Sequence, residues 1–273
     1  MLGAPGGANH DCMNAAVTAG ARPRSVGDAM AATLRRIAIV VAGCGIAGAL
    51  VGGIGSRLMM RLAALAAPEV YGVLTENGNV IGEITLQGTI GLMLFAGVGS
   101  AILGAGAFTV ARPWLPRSTP LRGLVFGGFV LALMGSNVVD PANADFVILG
   151  HRALNVAMLS SLFIAFGLVA SGAIAILESR VPPSAALSPR MWAATLLCAL
   201  PIVPGLLGVA FTIAPQLGVP LVGAWVATLY SFSLEKREFR GPAMLVRATA
   251  TVVLLVVVAV TGAEYVNGVA TIL

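Results

Sequence analysis

From Ile37 to Gly55 the chain reads IAIVVAGCGIAGALVGGIG, nineteen residues without one charge. A helix of that length measures about 28 Å, close to the roughly 30 Å of a bilayer's hydrocarbon core. Six further apolar runs follow at about 89–111, 121–139, 153–177, 191–211, 217–233 and 243–264. Lipid offers backbone amides and carbonyls no hydrogen-bond partners, so such runs cross it as helices. The runs therefore predict an all-α polytopic transmembrane bundle of about seven spans. Four prolines, Pro201, Pro204, Pro215 and Pro220, make the fifth and sixth spans the least regular.

The rest of the chain has little room for anything else. Only 10% of its 273 residues are charged and 58% are hydrophobic, against about 25% charged in soluble domains. Residues 1–33 are rich in Gly, Ala, Pro and Asn, which predicts a disordered tail, with Met30 as an alternative start. Residues 34–273 form the membrane domain. VAGC at Val41–Cys44 resembles a lipoprotein box, but five apolar residues between Arg36 and Ala42 are fewer than the roughly 7–15 of a signal sequence.

Charge placement gives an orientation. Fifteen of the sixteen basic residues are Arg, and they gather on alternate connections. Arg22, Arg24, Arg35, Arg36, Arg112, Arg117, Arg122, Arg180, Arg190, Lys236, Arg237, Arg240 and Arg247 fall on one side, and Arg57, Arg61 and Arg152 on the other. The positive-inside bias then predicts a cell-membrane protein with a cytoplasmic N-terminus, an external C-terminus and an odd number of spans. A net charge of +5 here means contact with lipid phosphates rather than nucleic acid, since no basic face carries interleaved aromatic residues.

The first external connection, VYGVLTENGNVIGEITL, places Asn77-Gly78 between two alternating, β-branched runs. That pattern predicts a β-hairpin at about 70–87, between spans 1 and 2, capping the bundle. An irregular loop is the alternative, because isolated hairpins are marginal.

Few residues suggest chemistry. Gly43-Cys44-Gly45-Ile46-Ala47-Gly48 fits GxGxxG, with Glu69 twenty-one residues beyond, but no soluble βα units follow it. Small-residue spacing fits better: Gly45, Gly48, Ala49, Gly52 and Gly53, with Ser56, form a face for close helix packing. Arg57 and Arg61 are spaced i,i+4 on the continuation of that helix, near the external interface. With Arg152 they make a candidate anion or lipid-headgroup site; snorkelling to lipid is the plainer role. Glu83, Asp140, Asp145 and His151, with Glu69 and Glu76, gather on the same external side, as salt bridges between loops or as a cation site. Cys12, Cys44 and Cys198 lack metal-ligand spacing. No catalytic motif, metal site or cofactor-binding pattern emerges, and no ionisable residue sits in the middle of a span.

SRLMMRLAALAAP, TENGNVIGEITLQGT and NADFVILGHRALNVAMLS together resemble a family of bacterial, chiefly actinobacterial, multi-pass membrane proteins of unknown function. The likeness covers the first four spans, implies class and topology, and carries over no site residue. The chain thus reads as a non-enzymatic membrane protein whose partners are lipids, with a homo-oligomer or a second membrane protein as further partners, binding lipid or an anionic group externally. A small-solute transporter using the glycine-lined first helix and the proline-broken region is the alternative. A membrane enzyme acting on a lipid-linked substrate at Arg57, Arg61 and Arg152 is a weaker one.

Overall fold

The computed structural model describes residues 26–73, 80, 82–139, 151–183, 187–200, 203, 207 and 240–273. Helix α1 (Val26–Ala47) runs through a π-helical stretch, Gly48–Gly55, into α2 (Ser56–Ala66). Four glycines in that stretch leave few side chains to oppose the wider turn. Helix α3 (Leu86–Gly99) likewise passes through a π stretch, Ser100–Gly104, into α4 (Ala105–Ala111). Helices α5 (Thr119–Val138), α6 (Arg152–Arg180), α7 (Pro189–Ala199) and α8 (Arg240–Ile272) follow.

Local chemistry explains the helix starts. The Thr85 hydroxyl accepts from the Gly88 amide at 3.2 Å and opens α3. Ser188 does the same for α7 through the Met191 amide, with Pro189 in the first turn. Pro120 stands in the first turn of α5. At the other end of the first hairpin, α2 stops at Ala66 and Pro68 begins a short 3-10 turn, Pro68–Val70.

Among the described residues, four helical stretches are long and apolar enough to cross a membrane: Met30–Ala66, Leu86–Trp114, Thr119–Ser136 and Arg152–Arg180. The chain is therefore an all-helical membrane-class protein. Helix α8, of 33 residues, carries the apolar run at 243–264. The run at 191–211 is helical over Pro189–Ala199, and the run at 217–233 lies outside the described residues.

Two expectations change. Among the described residues there is no strand. The two ends of the expected hairpin are a 3-10 turn closing at Val70 and an α-helix opening at Leu86, while Asn77-Gly78 lies outside the described residues. The physical reasons are Pro68, whose fixed φ favours the tight turn, and Thr85, whose cap diverts the alternating ITL segment into a helix. The tail also ends sooner than residue 33, because α1 is already helical at Val26.

The long α1–α2 helix is the hub. It contacts α3 through its π stretch, and α6 and α7 along α1; α5 packs on α6 and on α8. One core joins Val40, Cys44, Phe108, Phe126, Phe166 and Ile174, with Phe108 edge-on to Phe126 at 4.9 Å and 82°. In lipid such contacts depend on close shape rather than on escape from water. At the α5–α6 crossing the backbones almost touch: a Cβ built on Gly167 would collide with the Gly123 carbonyl and lie 2.5 Å from Gly127 Cα.

Candidate functional site

Most of the described arginines collect at the two ends of the bundle. At one end, Arg35 of α1 closes the C-terminus of α6. Its Nε donates to the Pro182 carbonyl at 2.7 Å, and its Nη2 donates to the carbonyls of Glu178, at 3.2 Å, and Val181. Arg112, just past α4, pairs with Glu178 at 3.3 Å.

At the opposite end, α2, the start of α3 and the start of α6 meet the end of α8. Arg57, in the first turn of α2, is only 4% exposed. Its guanidinium lies over Gly88 in the first turn of α3: a Cβ there would clash with Arg57 Nη2 and lie 3.1 Å from Cζ and 2.8 Å from Thr85 Oγ1. Gly88 thus makes the space that admits the arginine. Arg61, one turn on, donates from Nη1 to the Gly82 carbonyl at 2.6 Å. Gly82 has φ +86°, and a side chain there would strike Tyr71, so glycine is needed both for the turn and for the close approach. Neither Gly82 nor Gly88 stands out in the sequence; a Gly three residues after a Thr cap, opposite an i,i+4 Arg pair, is the signal that points to the second.

Arg152 stands apart from this pair. It lines an open groove of about 670 Å³ with Ala66, His151, Ala153, Leu154, Ile272 and Leu273. Ala66 is nine residues beyond Arg57 and five beyond Arg61, about 14 and 8 Å along the helix, and neither of the pair is among the residues that line the groove. His151 stands at the N-terminus of α6 and supplies no side-chain cap there. Its Nε2 lies 3.2 Å from the Ala66 carbonyl, which can only accept, so the ring donates through Nε2 and ties α6 to α2. The first intrahelical bond here runs from the Asn155 amide to the His151 carbonyl. The amides of Arg152, Ala153 and Leu154 precede it and belong to residues that line the groove. One turn further in, Asn155 is 1% exposed, and among the described residues neither end of its side-chain amide has a hydrogen-bond partner.

The other expected residues are distributed as follows. Glu83 is exposed beside the Arg61-bonded turn, and Asp140 and Asp145 lie outside the described residues. Gly45 faces Ala101, Gly48 faces Ala96 and Ser100, Ala49 faces Gly97, Gly52 faces Ala96 and Gly53 faces Met93; all five meet the α3 hairpin arm. Cys44 is buried and Cys198 half-buried, both as free thiols. Among the described residues no group of His, Cys, Asp and Glu could hold a metal ion.

Compared with known protein families, with curated proteins and with solved structures, the chain matches none. The functional reading therefore rests on the geometry of the two ends.

Proposed function

We propose that the protein is a seven-span, non-enzymatic protein of the cell membrane that binds an anionic group, such as a lipid headgroup, in the groove at the start of α6. The observation that carries this reading is the composition of the groove mouth: Arg152, His151 and the N-terminus of α6, where His151 supplies no side-chain cap, converge on one open cleft. The first-turn amides and the positive end of the helix dipole favour an anion, and a guanidinium adds a forked pair of donors. Leu154, Ile272 and Leu273 supply an apolar wall beside them, which suits a headgroup attached to acyl chains. Arg57 packs against Gly88 of α3, and Arg61 ties the 82-turn to α2.

Orientation and span number are part of the same proposal. The Arg35, Arg112 and Glu178 contacts support the grouping of the Arg-rich connections at one end, taken as cytoplasmic by the positive-inside bias. The groove then faces outward. Transport through the first hairpin is disfavoured, because at about mid-depth of α1 and α3 the two π stretches are in contact: a Cβ on Gly48 would lie 2.5 Å from the Ala96 carbonyl and clash with Ser100.

The test is thermal unfolding of the full chain in neutral detergent with added phosphatidylglycerol, phosphatidylcholine or glycerol phosphate. Anionic lipid is expected to raise the midpoint, and Arg152→Gln to weaken that binding about tenfold, the worth of one charged hydrogen bond. Equal protection of the wild type and Arg152→Gln sinks the reading. Reporter fusions after residue 25 and at Leu273 test the orientation, and reporters on the same side contradict the odd span count.

A further inference from the structure

The Arg35 end holds a second concentration of positive charge that the groove does not use. Arg35 is committed to the α6 carbonyls. Arg36 is exposed, Arg112 pairs with Glu178, and Arg122 in the first turn of α5 donates through Nη2 to the Arg117 carbonyl at 3.0 Å. Arg36 and Arg122 both lie close enough to Arg112 for their charges to repel it, while Glu178 is the carboxylate that attracts it. Among the described residues, Glu178 is thus the carboxylate that faces Arg112, with the Arg36 and Arg122 charges nearby and the Arg35 guanidinium on its backbone carbonyl, and a counter-anion would relieve the excess positive charge. Helix α5 opens beside them with no acidic residue in its first turn and no side-chain cap from Ser118, so its end adds to the positive field.

The surroundings indicate which anion. Leu121, Leu124 and Val125, next to Arg122 on α5, are exposed apolar side chains, and Trp114 on the adjoining turn is 40% exposed. Aliphatic side chains that give way to Trp and Arg mark the depth at which acyl chains meet headgroups. We propose that this corner is a binding site for the phosphate of an anionic glycerophospholipid, held by Arg36, Arg112 and Arg122, with its acyl chains along Leu121, Leu124 and Val125. Forked guanidinium donors match phosphate oxygens, and an anionic leaflet concentrates the ligand at that depth. An acidic protein segment would meet the same charges but would gain nothing from the exposed α5 leucines.

The experiment uses the full chain carrying Arg152→Gln, so that binding in the outer groove is already weakened. Unfolding midpoints are measured in neutral detergent with phosphatidylglycerol, phosphatidylcholine, inorganic phosphate or an acidic peptide. Phosphatidylglycerol is expected to raise the midpoint by about 3 °C, and adding Arg36→Gln and Arg122→Gln removes at least half of that shift, whereas Arg190→Gln on α7 leaves it intact. Native mass spectrometry supplies a second readout, as fewer anionic lipids should remain bound to the double exchange. Phosphatidylcholine protecting as well as phosphatidylglycerol overturns the site, as does a shift that survives both exchanges. Full protection by inorganic phosphate, or by the peptide, overturns its assignment to lipid. The outer groove fails separately, through Arg152→Gln alone.

Discussion

Arg35 and Arg57 lie on one continuous helix, twenty-two residues apart, and each turns its guanidinium against the end of a neighbouring helix. Arg35 meets the C-terminus of α6, where carbonyls without helical partners accept its protons. Arg57 meets the N-terminus of α3, where the backbone offers amides and the dipole is of the wrong sign for a cation. The first contact is held by electrostatics and hydrogen bonds; at the second, Gly88 leaves the space that the buried guanidinium fills. Two arginines at similar sequence depth thus serve as brace and wedge.

The largest expected effect is at the brace. Arg35→Ala removes three acceptor contacts at once and leaves the α6 carbonyls partly buried, a loss of about 3 kcal/mol. It is to be read from unfolding in a denaturing-detergent titration, together with faster amide exchange in the last turn of α6. Arg35→Lys should recover about half, since an ammonium also satisfies carbonyls. A lysine no better than alanine would show that the planar fork, rather than the charge, does the bracing.

The wedge is next. Gly88→Leu drives a side chain into the Arg57 guanidinium and against Thr85 Oγ1, a loss of about 1–2 kcal/mol as overpacking. Shortening the partner should relieve it, so Gly88→Leu with Arg57→Ala is expected to be more stable than the sum of the two single changes. Strict additivity would mean that the two side chains do not meet, and the contrast with Arg35 would collapse.

How much of this the sequence displays depends on how local its cause is. Apolar runs are imposed by lipid along the run itself, so Leu86–Trp114 and Arg152–Arg180 are readable to within a few residues. The Gly45–Gly53 stripe stands on one helix and shows as spacing. Gly123 and Gly127 carry the same spacing on α5, yet their importance comes from Gly167 on another helix, and nothing near Gly167 announces it. The π stretches likewise lie where the two helical arms meet. The described ends of the hairpin segment show no strand, for a local reason: in EITLQG alternation and a Thr cap compete, and the helix that Thr85 opens packs on the Gly48–Gly55 stretch, whereas a free hairpin packs on nothing. The division of Arg57 and Arg61 from Arg152 depends on where α6 starts against α2, a tertiary fact outside any one segment.

Arg61 probes a milder form of the Arg57 corner. Its bond to the Gly82 carbonyl is short and charge-assisted but partly open to water, so Arg61→Ala should cost about 1 kcal/mol. The effect should appear locally, as faster exchange of the Gly82–Leu86 amides. A loss as large as that of Arg35→Ala would make the 82-turn a second brace.

The smallest effect returns to the Arg35 end. Glu178 serves two partners there: its backbone carbonyl accepts from Arg35, and its carboxylate pairs with Arg112 at 3.3 Å with side chains 34% and 42% exposed. Glu178→Gln keeps the carbonyl and deletes only the charge. Because the pair is open to solvent, its loss should cost no more than about 0.5 kcal/mol and should vanish at high salt. Removing the carboxylate that faces Arg112 also sharpens the positive corner, so anionic lipid should protect Glu178→Gln more than the wild type. A large, salt-independent loss would place the holding force of this end in the ion pair rather than in the backbone bonds of Arg35, and would reverse the ranking from which the comparison started.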